Sequence, residues 1–157
     1  MGSKASLESA EKERMLVVVF TLGEEDLAFE IQSVREIIRI SKITKVPNTS
    51  EFVEGVINLR GQIKPVINLR RKLGLPGGEV SSDGKIIIID SHEQSFGVIV
   101  DRVVGVLSVE AAEITDPTKL LGGDRTDFIS GIGRLGEQLV VMLTPDKLFS
   151  SKETLDL

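Results

Sequence analysis

The chain has 157 residues, no cysteine, a single histidine and a formal net charge of −5. The missing cysteine removes disulfides, thiolate catalysis and cysteine-bearing metal sites, and one histidine excludes a multi-histidine centre. An acidic chain with 4% aromatics, all of them Phe, lacks the basic stripes and stacking rings of nucleic-acid binders, and no apolar run approaches the roughly 18 residues of a membrane span.

Residues 1–14 are polar and charged, with no apolar segment of the signal-peptide kind. They are expected to be partly disordered, as is the polar tail at 151–157. Between them the apolar runs are short, rich in Val and Ile, and bounded by Gly, Asp, Asn or Pro, which is the signature of strands. Ten such runs occur, at 16–22, 27–31, 34–40, 52–59, 63–69, 86–90, 96–100, 103–109, 128–135 and 139–143. Turn signals every 8–12 residues or so point to an all-β barrel or sandwich. The stretch 32–40 reads either as a short helix or as a bent strand, because Val34, Ile37 and Ile38 recur at helical spacing. Pro65 cannot donate to a ladder, so its strand should be an edge or carry a bulge there.

Residues 16–40 overlay 85–109 without a gap. Val17-Val18-Val19-Phe20 falls on Ile86-Ile87-Ile88-Ile89, and Leu27-Ala28-Phe29-Glu30-Ile31 falls on Phe96-Gly97-Val98-Ile99-Val100. The two halves also end alike. Asn68 is placed to cap a short helix that Gly74 closes and Pro76 cannot continue. Thr144 is placed to cap a second, with Pro145 at its first position. The repeat unit is five strands and a short terminal helix, present twice. Two similar five-stranded barrels side by side, pseudo-symmetric and with a cleft between them, is the simplest arrangement.

Gly131-Ile132-Gly133-Arg134-Leu135-Gly136 has dinucleotide-site spacing, but the residues after it read as a strand, so a hairpin turn is expected. His92 lies between two strands, and a turn tip rarely supplies the oriented base of a catalytic triad; a solvated turn is expected. Arg60, Lys64, Arg70, Arg71 and Lys72 fall between Glu54 and Glu79 with no acid among them. The last three suit a helix C-terminus. Arg60 differs, because it precedes Gly61 at a tight turn, where a planar guanidinium held rigidly suits carboxylate recognition and interface work.

Phe20-Thr21-Leu22-Gly23, Val34-Arg35-Glu36-Ile37, Gly55-Val56-Ile57-Asn58-Leu59-Arg60-Gly61, Pro65-Val66-Ile67-Asn68-Leu69-Arg70 and Gly97-Val98-Ile99-Val100-Asp101-Arg102-Val103 together resemble the CheW family of chemotaxis coupling proteins. The resemblance runs in order over about residues 15–150, and Asn-Leu-Arg-Gly in that frame is specific. It implies one domain over 15–150, made of two intertwined five-stranded β-barrel lobes with short helices. It implies an adaptor without catalysis, cofactor or metal. Its partners would be the regulatory domain of the histidine kinase CheA and the cytoplasmic tip of chemoreceptors. The protein would sit in the cytoplasm at the receptor array beneath the inner membrane, and would be monomeric when free.

By position, Val34, Glu36, Ile37, Gly55 and Arg60 fall on the family's functional surface. Val34 and Ile37, with Val98 and Val100 across the cleft, are assigned to the receptor tip. Glu36 and Arg60 are assigned to polar contacts at its border. The resemblance names no residue of a second kinase contact. An oligonucleotide-binding barrel and a small hydrolase using His92 stand as the alternatives.

Overall fold

The computed structural model describes residues 14–76, 83–92, 94–110 and 128–149. Ten strands form: β1 (Arg14–Leu22), β2 (Glu25–Glu30), β3 (Val34–Arg39), β4 (Val53–Leu59), β5 (Gln62–Ile67), β6 (Lys85–Asp90), β7 (Ser95–Val100), β8 (Arg102–Glu110), β9 (Ile129–Leu135) and β10 (Gln138–Leu143). The ambiguous stretch before β3 resolves into a 3-10 turn at Ile31–Ser33 followed by the strand. Two short helices end the halves, α1 (Leu69–Leu73) and α2 (Pro145–Leu148).

The capping residues act unequally. The Asn68 side chain accepts the Arg71 N–H at 3.1 Å, and Gly74 closes α1 in the left-handed region. Thr144 occupies the cap position of α2, but its side chain makes no capping hydrogen bond; Pro145 at the first position has no N–H, so the helix start carries one fewer unpaired donor.

The strands form two five-stranded sheets, ordered β8-β1-β2-β10-β9 and β3-β6-β7-β5-β4. The sequence halves are therefore not the lobes. Hairpin β1–β2 of the first half completes the sheet of β8, β9 and β10, while β6–β7 of the second completes that of β3, β4 and β5. Side-by-side halves are ruled out by this exchange. Because the halves share one apolar pattern, each hairpin fits either sheet equally well by pattern alone.

Closed barrels do not form among the described residues: no ladder joins β8 to β9 or β3 to β4. The free edge of β4 instead takes a single bridge from Thr44. Pro65 is on neither an edge strand nor a bulge. The β4–β5 irregularity lies at Val53–Gly55, and Pro65 faces Val56 across the ladder. Only Val66 and Ile67 of β5 pair with β7, so Pro65 precedes the two-sided part of its strand and its missing N–H is tolerated.

Alternation sorts the side chains into three cores. Inside one sheet lie Val17, Val19, Ala28, Val109, Val140 and Met142. Inside the other lie Ile57, Val66, Ile86, Ile88 and Ile99. The largest sits between the sheets and includes Phe20, Phe29, Ile87, Ile89, Phe96 and Phe149. β6 shows the logic: Ile86 and Ile88 face into the lobe, Ile87 and Ile89 face the partner lobe, and all four are fully buried.

Two polar staples mirror each other across the pseudo-symmetry. In the first half the Gly23 N–H donates to Asp101 Oδ2 at 2.7 Å, and Arg70 of α1 pairs with the same carboxylate. In the second the His92 N–H donates to Asp146 Oδ1 of α2 at 2.8 Å. Gly23 and His92 are overlaid positions of the repeat, so each half ties its first turn to its terminal helix through a carboxylate.

Candidate partner-binding surface

Arg60 and Gly61 form a two-residue hairpin turn, closed by the Leu59–Gln62 pair, with φ of 53° and 87°. Both angles are positive, as a turn matching the strand twist requires. Asn58 fixes it by accepting the Gly61 N–H at 2.8 Å. The turn thus holds the backbone of Arg60 rigid while its side chain stays 75% exposed. Its guanidinium pairs with Glu36, on β3, at the other end of the same sheet. The sheet is curled enough to bring its first strand to its last hairpin. An ion pair this exposed on the Arg60 side adds little stability.

The rest of the basic tract is engaged within the fold. Arg70 is largely buried against Asp101, Arg71 reaches Glu54 at 3.5 Å, Lys72 lies 4.8 Å from the Phe52 ring centre, and Lys64 donates to Ser95.

The apolar candidates divide. Ile37 is 40% exposed and Val34 is half-buried at the edge of the central core. Gly55 is buried, with no side chain to offer. Val98 and Val100 are fully buried in the central core, and their assignment to a contact surface is corrected. β7 sits in the middle of its sheet with both faces covered, so neither alternate set of its side chains reaches solvent.

Exposed apolar residues outside the candidate set occur on both lobes, among them Ile63 on β5 and a group on the sheet that contains β1 and β8. Val106, 52% exposed, faces Val18 across the β1–β8 ladder, and Leu16 and Val104 are exposed beside it. In the other lobe Ile37 faces Ile87 in the equivalent place. Both flanks continue the sheet faces that make the central core, so they border the seam between the lobes. No pattern in the sequence separates such edge residues from core.

His92 lines a cleft of about 540 Å³ together with Glu30, Asp90, Ser130 and Asp146. Its Nδ1 meets Asp146 Oδ2 at 2.5 Å, so this turn is fastened to α2 and is not merely solvated. The imidazole is 93% exposed, and the neighbouring Ser91 hydroxyl donates to the Gln94 carbonyl at 2.8 Å. No serine is hydrogen-bonded to the imidazole among the described residues, so the geometry gives no activated nucleophile. The GxGxxG stretch is β9 and the turn into β10, which is a hairpin. Among the described residues no cluster of three or more His, Asp or Glu could hold a metal.

The His92 backbone N–H, and then its side chain, hold the Asp146 carboxyl below its ordinary pKa. A depressed carboxyl stabilises the fold above its unfolded pKa and loses that contribution as pH falls through the folded value. Acidification below the usual carboxylate range will therefore release the His92 turn from α2. An NMR titration should show the His92 amide shifting at a lower pH than a free aspartate titrates, and a shift centred at or above the free value would contradict it.

What fold and surface define together is a strand-exchanged, double-lobed interaction module with an ion pair and apolar edges on offer. A family model described as the CheW-like domain matches residues 16–153, and the chain belongs to that family. It is 35% identical to a chemotaxis protein CheW of Klebsiella aerogenes, over 87% of this chain and 82% of that one. It is 36% identical to a CheW of Thermotoga maritima, over 84% of this chain and 85% of that one. A crystal structure of a CheW scaffolding protein from Thermoanaerobacter tengcongensis superposes with a TM-score of 0.82 at 36% identity, over 90% of this chain and 97% of that one. The family is one of chemotaxis scaffolds and not of enzymes. No helix among the described residues is long and apolar enough to cross a membrane.

Proposed function

We propose that this chain is the adaptor that couples chemoreceptors to the histidine kinase CheA, supporting array assembly and kinase control from the cytoplasmic side of the inner membrane. The observation that carries this reading is the Arg60–Glu36 pair, displayed on a rigid turn beside exposed apolar strand edges. The apolar flanks bordering the seam, Val34 and Ile37 on one lobe and Val106 and Leu16 on the other, take the receptor's cytoplasmic tip. Glu36 and Arg60 make polar contacts at the border. The regulatory domain of the kinase takes a separate surface, so that both partners are held at once.

The mechanism is organisation. Binding both partners raises their effective concentration and sets their geometry, with no covalent chemistry. The free protein is monomeric, and each contact is modest enough to be remodelled during signalling. Calorimetric titration with a receptor cytoplasmic fragment, and separately with the kinase's regulatory domain, tests the proposal. Saturable binding to each is expected, and a folded sample that binds neither would refute it.

A further inference from the structure

Because the sequence halves are not the lobes, each of the two polar staples joins one lobe to the other. The β1–β2 turn at Gly23 belongs to one sheet, and α1, which carries Arg70, follows β5 of the other. The β6–β7 turn at His92 belongs to the second sheet, and α2, which carries Asp146, follows β10 of the first. The chain itself also passes twice between the sheets, at Ile31–Ser33 from β2 to β3 and at Asp101 from β7 to β8. The ungapped overlay of the repeat sets Gly23 on His92 and Gln32 on Asp101. The matched cap positions, Asn68 and Thr144, set Arg70 on Asp146.

The two ends of the seam use this shared plan differently. At one end the crossing residue is itself the junction. The Asp101 carboxylate accepts the Gly23 N–H at 2.7 Å and pairs with Arg70, and the Asp101 N–H donates to the Thr21 carbonyl at 3.0 Å. The Arg70 and Asp101 side chains are only 17% and 18% exposed, where a charge-assisted bond is hard for water to replace. At the other end the crossing takes no part. Gln32 donates to Glu30 at the end of β2, and none of Ile31, Gln32 and Ser33 is buried. The helix carboxylate goes straight to the turn, Asp146 to His92, and those side chains are 39% and 93% exposed. The cleft of about 540 Å³ lies among Gln32 and Ser33 on the crossing and His92 and Asp146 on the staple.

We propose that Asp101 is the pivot between the lobes, and that the His92–Asp146 contact is a latch that closes the seam at its compliant end. This rests on the adaptor reading, in which the receptor tip lies across Val34 and Ile37 of one lobe and Val106 and Leu16 of the other. Val34 begins β3 directly after one crossing, and Val106 lies on β8, which begins directly after the other. Asp101 and Asp146 are thus positioning residues, which set the spacing of the two flanks without touching the receptor. A tip that needs both flanks at one spacing binds only the latched molecules, so its apparent affinity falls with the latched fraction.

The chain has no cysteine, so two introduced cysteines carry spin labels without background. Arg39→Cys on β3 and Glu137→Cys at the β9–β10 turn put one exposed label on each lobe. The distance distribution between the labels is measured in the otherwise unchanged chain and with Asp146→Ala, Asp146→Asn or Asp101→Ala added. Affinity for a receptor cytoplasmic fragment is measured by calorimetry on the same set without labels. Asp146→Ala is expected to broaden the distribution towards longer distances and to weaken the fragment about fivefold, as for a latched fraction cut to about one fifth. Saturating fragment should narrow it again, because the fragment selects the latched state. Asp146→Asn keeps an oxygen for the His92 N–H and is expected to stay near wild type in both readouts. Asp101→Ala is expected to broaden the distribution further; since it is the variant more prone to unfold, the Asp146 pair tests the latch without it. A wild-type distribution in Asp146→Ala, or a broad one with affinity kept, would overturn the proposal. So would weakened binding with an unchanged distribution, which would make Asp146 a direct contact, and a folded Asp101→Ala with wild-type width. An unchanged chain with a narrow distribution that binds no fragment would instead sink the adaptor reading.

Discussion

Phe96→Ala lowers the stability of the whole molecule by about 3–5 kcal/mol, and both lobes unfold in one transition. Phe96 is fully buried, and its ring centre lies 5.3 Å from that of Phe149. It belongs to the central core, which draws side chains from both sheets. Truncation leaves a cavity that neither sheet can close alone, since each is fixed by the other's hairpin. The loss is a large part of the ~5–15 kcal/mol that holds a domain of ordinary stability. The chain has no Trp or Tyr, so the melt is followed by far-UV circular dichroism, with hydrogen exchange reporting on β1 and β6 separately. Protection lost in the Phe96 sheet alone, or two resolved transitions, would contradict a shared core.

Arg60→Glu has the largest expected effect on binding. The side chain is 75% exposed and its partner Glu36 only 23%, so the substitution sets a second carboxylate against Glu36 at the rim of the surface. Stability should change by less than about 1 kcal/mol, as for most exposed sites. Binding at this surface should weaken by about 2 kcal/mol, or roughly thirtyfold, the scale of one interface anchor. Exchanging the pair, with Glu36→Arg added, should restore the intramolecular contact but not the affinity, because a partner reads which charge sits on the exposed turn. Calorimetry and thermal melts on the three proteins decide it. Wild-type affinity in Arg60→Glu would remove the ion pair from the site, and a collapsed melting temperature would make its role structural.

Much of the fold was legible because its local signals were strong. All ten strands lie within two residues of the apolar runs at each end. The Asn68 and Gly74 caps were read from residue type alone. The exchange of hairpins was not legible, because β1–β2 and β6–β7 carry one pattern and pattern cannot tell which sheet they complete. Barrel closure failed for a related reason. Edge contacts such as Thr44 on β4 are single bridges between distant residues, and periodicity does not encode them.

The site was readable where turn chemistry exposed it and unreadable where burial decided. Arg60 stood out through Asn58 and Gly61, whose roles follow from their residue types. Val98 and Val100 were misplaced, although the sequence held the correction. Phe96-Gly97-Val98-Ile99-Val100 is continuously apolar, the mark of a strand covered on both faces. Val106 and Leu16 had no such signal, since an exposed valine on the edge strand β8 or an exposed leucine on β1 looks like its core counterpart. Gly55 reads as one more glycine in a strand until the Thr44 carbonyl is seen against it.

The measurement closest to the central claim is co-sedimentation of a receptor cytoplasmic fragment, assembled on vesicles, with the kinase's soluble regulatory domain, in the presence and absence of this protein. The account predicts that the regulatory domain pellets with receptor only when this chain is added, and that Arg60→Glu reduces the amount carried down. Equal pelleting of the regulatory domain with and without the chain would contradict its role as the link between them.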